Sequence, residues 1–155
     1  MEKLTIEEKN YISGFLDGAS SLFAQIVRGK QYKYGFRVRV SIGFYQKKEN
    51  HWFMLKLKKL LGYGIVRIRK DGISELVVNG SGPVNQILLN LKDLLVLKKE
   101  NANLILKIIE RKRNINSKGE FIEICRLVDK VAVLNGSKKR LITAEIVKNT
   151  LNRTD

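Results

Sequence analysis

In the stretch "YGFRVRVSIGFYQKK" apolar and polar positions alternate as far as Lys47. Tyr34, Phe36, Val38, Val40, Ile42 and Phe44 fall on one side; Arg37, Arg39, Ser41, Tyr45 and Lys47 fall on the other. Successive strand residues point to opposite faces, so this pattern predicts a half-buried antiparallel strand with a basic outer face. The preceding "SLFAQIVRG" has the same period. It turns Leu22, Ala24 and Ile26 inward and Ser21, Phe23, Gln25 and Val27 outward, and a loop around residues 29–32 reverses the chain. "GIVRIRKDGISELVVNG" predicts a second hairpin, because Asp-Gly at 71–72 suits its turn. Val66 and Ile68 are expected in the core; Arg67, Arg69, Glu75 and Val77 are expected on the outer face.

Other segments follow a helical period. "TIEEKNYISGFLDG" opens on Thr5 with Glu8 three residues on, the pattern of a capping box. Ile6, Ile12, Phe15 and Leu16 supply its apolar stripe. Gly14 and Gly18 each cost about 1 kcal/mol of helix propensity against alanine. Glycines one turn apart let a second backbone approach closely, and Gly18 is also a candidate helix terminator. "ENHWFMLKLKKLLG" predicts a helix with Trp52, Phe53, Leu55, Leu57, Leu60 and Leu61 as apolar residues and Gly62 as its end. Further helices are expected near 83–95, 100–111, 120–134 and 144–152. The order is αββαββαααα, without repeats, low-complexity tracts or linkers, and residues 1–155 read as one domain. The fold class is α+β: a single curved antiparallel sheet with its helices on one face.

Charge sharpens the picture. Thirty Lys+Arg against 15 Asp+Glu give a formal charge of +15, a field that attracts polyanions. A hydrophobic content of 44% with 29% charged residues describes a globular, soluble chain. No apolar run is long enough for a membrane span, and the first twenty residues lack a secretory hydrophobic region. The single Cys125 excludes an internal disulfide, and the single His51 leaves too few soft ligands for zinc. Nucleic acid is therefore the expected partner. Arginine forks onto guanine and glutamine pairs with adenine in the major groove. A strand rises about 3.3 Å per residue, near the roughly 3.4 Å base-pair step, so the basic ribbon can follow a groove.

"YISGFLDGASSLFAQI" resembles the nine-residue motif of the LAGLIDADG homing endonucleases followed by their first DNA-binding strand. The likeness is to the single-motif form typified by chloroplast-intron enzymes. "WFMLKLKKLLGYGIVRIR", "LKKENANLILKIIE" and "FIEICRLVDKVAVLNGSKKR" resemble later segments of that family in the same order. The resemblance implies an αββαββα core, a homodimer packed through Tyr11, Gly14, Phe15 and Gly18, and magnesium-dependent cleavage of a long, nearly palindromic duplex. It further implies a DNA-binding set of Phe23, Gln25, Val27, Arg37, Arg39, Ser41, Tyr45, Lys47, Arg67, Arg69, Glu75 and Val77, with Ser137, Lys138 and Lys139 on the DNA backbone. An organelle, chloroplast or mitochondrion, is the implied compartment.

Phosphodiester hydrolysis gains from metal ions that activate water and neutralise the leaving oxygen, and Mg2+ favours carboxylate oxygen. In the family each motif helix offers one essential acid beside the backbone oxygen of the residue before it. Here that oxygen belongs to Gly18, but the acid falls on Ala19 and the motif's closing glycine on Ser20. Asp17 matches the motif's first acid and is expected to make local hydrogen bonds near the helix end. Gln46 and Lys98 match positions near the scissile phosphates, as a water-positioning amide and a cation. Asn50 stands where relatives often carry a basic residue. The expectation is a specific DNA-binding homodimer with cleavage impaired. The rival is a non-cleaving binder such as an intron-splicing maturase, for which RNA would be the partner; a small ribosomal-type protein fits less well, because its basic residues would scatter.

Overall fold

The computed structural model describes residues 3–137 and 140–153. Within them the order is α1 (Ile6–Ala19), β1 (Ser20–Arg28), β2 (Phe36–Lys47), α2 (His51–Leu61), β3 (Ile65–Ile68), β4 (Ile73–Asn79), α3 (Ser81–Leu91), α4 (Lys99–Lys112), α5 (Lys118–Leu134) and α6 (Ala144–Arg153). The expected element order is observed. The strands form one antiparallel sheet in the order β1-β2-β4-β3. The architecture is α+β, with the helices packed against a single antiparallel sheet, as expected.

Thr5 closes both halves of its capping box: its hydroxyl accepts from the Glu8 amide at 3.1 Å and its own amide donates to Oε1 of Glu8 at 3.0 Å. α1 then buries Ile12 and Leu16 against the sheet's inner face, where Leu22, Ile26, Phe36, Val38, Val40, Ile42 and Phe44 form the floor of one continuous core. α4 and α5 complete it with Ile105, Ile108, Ile109, Ile124 and Val128. Large buried side chains of this kind each contribute about 1.5–3 kcal/mol on removal from water, which fixes the register of the alternating strands.

Some positions depart from the pattern. Gly18 does not end α1. The helix continues through Ala19 and the backbone becomes extended at Ser20 (φ −139°), with no loop before β1. Ser20 makes this possible: it is buried and its hydroxyl donates to the Leu16 carbonyl at 2.5 Å, occupying a group that the last turn would otherwise leave open. In α2 the buried residues are Met54, Leu57 and Leu61, spaced three and four apart, so Trp52 and Leu55 face outward at 64% and 50% exposure. Gly62 ends that helix in the left-handed region (φ 79°), as expected. Ile6 and Ile68 are also exposed, the latter because β3 is a four-residue edge strand with its burial confined to Val66.

Candidate nucleic-acid interface and the end of the motif helix

The strand register assembles the outer face row by row. Gln25 stands opposite Arg39, Val27 opposite Arg37 and Phe23 opposite Ser41; Tyr45 stands opposite Glu75, and Glu75 opposite Arg67. Every outward residue expected on β1, β2, β3 and β4 is on this face, and Arg69 follows directly after β3. The register adds Asn79, opposite Ser41, and Ile65, opposite Val77. Both continue the period of their strands, so the signal was present in the alternation. Ser137 is exposed just beyond α5; Lys138 and Lys139 lie outside the described residues.

The face is not chemically uniform. Arg67 and Arg69 converge on Glu75, whose carboxylate is buried among them; Arg67 Nε donates to Oε1, and Arg69 approaches Oε2 at 3.8 Å while bonding Asp71 at 2.5 Å. Glu75 therefore orients two arginines rather than presenting a free acceptor. Arg37 and Arg39, by contrast, are exposed and have no acidic partner among the described residues. Tyr45 folds its phenol over Gly43, where any Cβ would collide with it. Burial in this position, then the Glu75 charge, push its pKa above 10.0, while a hydrogen bond with Ser21 and the Arg69 charge partly oppose that shift. Gly43 thus leaves room for an aromatic plate lying flat on a basic surface.

At one end of the sheet the C-terminus of α1 meets the start of α4. Asp17 accepts from the backbone amides of Val96 (2.8 Å) and Lys98 (3.0 Å), and Lys98 Nζ donates to the Asp17 carbonyl at 2.7 Å. These bonds bridge about eighty positions of sequence, so the acid's expected local role is instead a long-range tether. Helix C-termini are electronegative, which favours the lysine ammonium there. Across the sheet Asn50 donates to Gln46 at 2.9 Å, and His51 Nδ1 lies 2.8 Å from the Ser74 hydroxyl. Gln46 and Asn50 are thus joined in one pair, and Lys98 is joined separately to the end of α1.

This donor set does not fit a magnesium ion held by the chain itself. Ala19 offers no carboxylate, the Asp17 carboxylate is committed to two amides, and a lysine ammonium occupies the neighbouring carbonyl. Among the described residues no cluster of three or more His, Cys, Asp or Glu could hold a metal.

The opposite side of α1 is open. Gly14 and Gly18 are exposed, no described residue outside the helix's own backbone stands within 4 Å of a Cβ built at either, and Tyr11 beside them is 62% exposed. Phe15 is half-buried, stacked on Phe44 at 6.0 Å and edge-on to Phe53 at 5.2 Å. Tyr11 and Trp52 both contact the Phe53 ring, so exposed aromatic surface runs from α1 onto α2.

The four-stranded sheet roofed by helices, entered directly from a glycine-bearing helix, is the LAGLIDADG homing endonuclease architecture. This chain belongs to the LAGLIDADG endonuclease family, whose pattern it matches over residues 12–109. It is 37% identical over 143 residues to DNA endonuclease I-CreI of Chlamydomonas reinhardtii, spanning 92% of this chain and 87% of that one. It is equally similar, 37% over 143 residues, to DNA endonuclease I-CvuI of Chlorella vulgaris, with 92% and 89% covered. The crystal structure of I-CvuI with its target in the presence of 2 mM Ca superposes with a TM-score of 0.89 at 36% identity, covering 95% of this chain and 94% of that one. The complex of I-CvuI with the I-CreI target in 2 mM Mg, in which the DNA is not cleaved, gives the same values. I-CeuI complexed with DNA shares the fold at 14% identity, with a TM-score of 0.79.

Proposed function

We propose that the protein is a homodimeric homing endonuclease of one domain that recognises a long, nearly palindromic DNA duplex through the outer sheet face and cleaves it poorly or not at all. The binding half of this reading rests on Arg37 and Arg39, exposed cations without acidic partners among the described residues, beside Gln25, Ser41 and Asn79. Such side chains carry the donors and acceptors that read base edges, and a net charge of +15 supplies the phosphate attraction. The open Gly14–Gly18 ridge supports two-fold pairing, since one motif helix gives half a site. The relatives named above are DNA endonucleases, and an organelle is the compartment that this kinship favours.

Ala19 carries the catalytic half. A dimer would lack both carboxylates expected to bind Mg2+, while Gln46, Lys98 and the sheet are retained. Removing direct metal ligands in chemistry where metal activation and charge stabilisation are each worth several kcal/mol lowers the rate by orders of magnitude. The test selects bound duplexes from a random pool, then incubates the selected site with magnesium and either the protein as it stands or Ala19→Asp/Ser20→Gly. The expected result is specific binding by both and cleavage by the double variant. Rapid cleavage by the Ala19 protein would overturn the catalytic reading, and preference for a folded intron RNA over any duplex at matched salt would favour the splicing alternative.

A further inference from the structure

β2 is paired on both edges only from Ser41 to Phe44. Upstream of that stretch β1 covers one edge, and β4 has already ended at Asn79. The bare edge at Val38 is met by Lys112 from the last turn of α4. Its ammonium donates to the Val38 carbonyl at 2.6 Å and to the Ser81 hydroxyl at 3.1 Å. A lysine ammonium has three hydrogens, so one remains beyond these two bonds.

Lys112 also lines a concavity of about 480 Å3 that includes Gln25, Arg37, Arg39, Ser41, Asn79 and Ser81. Among the described residues three cations line it and no carboxylate does. The contrast with the other end of the sheet is direct, because Arg67 and Arg69 there are compensated by Glu75 and Asp71. Lys112 is partly withdrawn from water, and burial followed by the Arg37 charge holds its pKa below the ordinary 10.5. Like charges gathered at a half-buried position without a counter-charge create a strong local demand for an anion.

We propose that Arg37 and Lys112, with Arg39 at the rim, form a phosphate pocket that takes one backbone phosphodiester of the nucleic acid bound on the sheet. This rests on the duplex-binding reading above, because the pocket shares Gln25, Arg39 and Ser41 with the face assigned to base readout. The neutral amides of Gln25 and Asn79 and the Ser81 hydroxyl are further donors for phosphate oxygens. Lys112 comes from a helix rather than a strand. It therefore clamps the phosphate from the side together with Arg37, while Arg39 and the other outward sheet residues reach toward bases.

The test uses the full chain, Lys112→Met and Lys112→Arg, with a duplex selected by the unaltered protein. Lys112→Met is expected to flatten the dependence of log affinity on log salt by about 0.9, the value of one phosphate contact, whereas Lys112→Arg keeps the slope. Neutralising single phosphates as methylphosphonates is expected to reveal one position per half-site that weakens the unaltered protein about tenfold and Lys112→Met distinctly less, because Arg37 remains. If no position distinguishes the two proteins, the proposal fails. Titration with inorganic phosphate, followed through the Lys112 side-chain NMR signals, separates the pocket from the duplex reading. Saturable shifts that are lost in Arg37→Ala/Arg39→Ala support the pocket even if no duplex is selected. Absence of such shifts overturns it, and shifts without any methylphosphonate effect on a selected duplex overturn the backbone assignment.

Discussion

Asp17 and Lys98 hold each other twice: the carboxylate of Asp17 accepts the Lys98 amide at 3.0 Å, and the Lys98 ammonium returns to the Asp17 carbonyl at 2.7 Å. The motif helix and the entry to α4 are thereby fixed to one another. Asp17→Ala leaves the amides of Val96 and Lys98 without their carboxylate and is expected to cost about 1.5–3 kcal/mol, the range for hydrogen bonds to charged groups. Lys98→Met should cost less, since the Asp17 carbonyl can turn to water. Denaturant midpoints for the two variants check the order.

Gly14→Leu has opposite effects on two equilibria. The site is open within one chain, and replacing a helical glycine should stabilise the isolated fold by about 0.5–1 kcal/mol. The same side chain would stand on the ridge where a partner helix is expected, so association should fail. Sedimentation and thermal unfolding at several concentrations measure both. A variant that stays dimeric would remove this ridge from the interface.

Arg39→Ala is expected to cost about 1–3 kcal/mol at one base-pair position and leave the rest of the specificity profile intact. Glu75→Ala should instead blur several positions, because it frees Arg67 and relaxes Arg69 together. Binding profiles against single base-pair changes in the selected site separate the two. Identical profiles would mean that Glu75 does not orient the arginines.

Lys112 also gives stability a pH slope of known sign. Its folded pKa lies below the ordinary 10.5, so between the folded pKa and 10.5 the unfolded chain binds more protons. Stability from this group therefore rises with pH across that window. Tyr45, raised above 10.0, acts in the other direction, and its contribution is lost as pH climbs through its folded pKa. Lys112→Met should remove the first component, visible as a flatter thermal midpoint on the alkaline side of neutrality.

Cys125 should resist alkylation in the native protein. It is fully buried, and burial, reinforced by Asp129, pushes its thiol up to about 12. Reaction should track unfolding, and rapid modification under native conditions would contradict the packing of α5.

Local periodicity determined what could be read from the chain. The alternation from Phe36 to Lys47 was explicit, and so were the Thr5–Glu8 cap and the helix end at Gly62, because each depends on neighbours in sequence. Ile68 was misplaced because hydrophobic character does not say which side of an amphipathic element meets the core, and for the same reason Trp52 and Leu55 could not be told apart from the core residues of α2. Gly18 looked like a helix terminator, yet the buried Ser20 hydroxyl moved the end past Ala19. Long-range polar ties could not be read at all. Asn135 donates to the Leu22 carbonyl and receives a bond from Asn101, joining three elements through side chains with no local signature. Lys112 belongs to the same class.

The overlap of the two ladders on β2 has a dynamic consequence. The first part of that strand is shared with β1 alone and its last three residues with β4 alone, while Ser41–Phe44 has partners on both sides. Each hairpin can therefore loosen from its outer end without disturbing the other, but neither can release that four-residue overlap independently. Protons on its paired amides should exchange with solvent only when the whole domain opens, at the slow limit of the molecule. Readjustment to a bound ligand is correspondingly reserved for the distal ends of the hairpins, hinged about one immobile stretch.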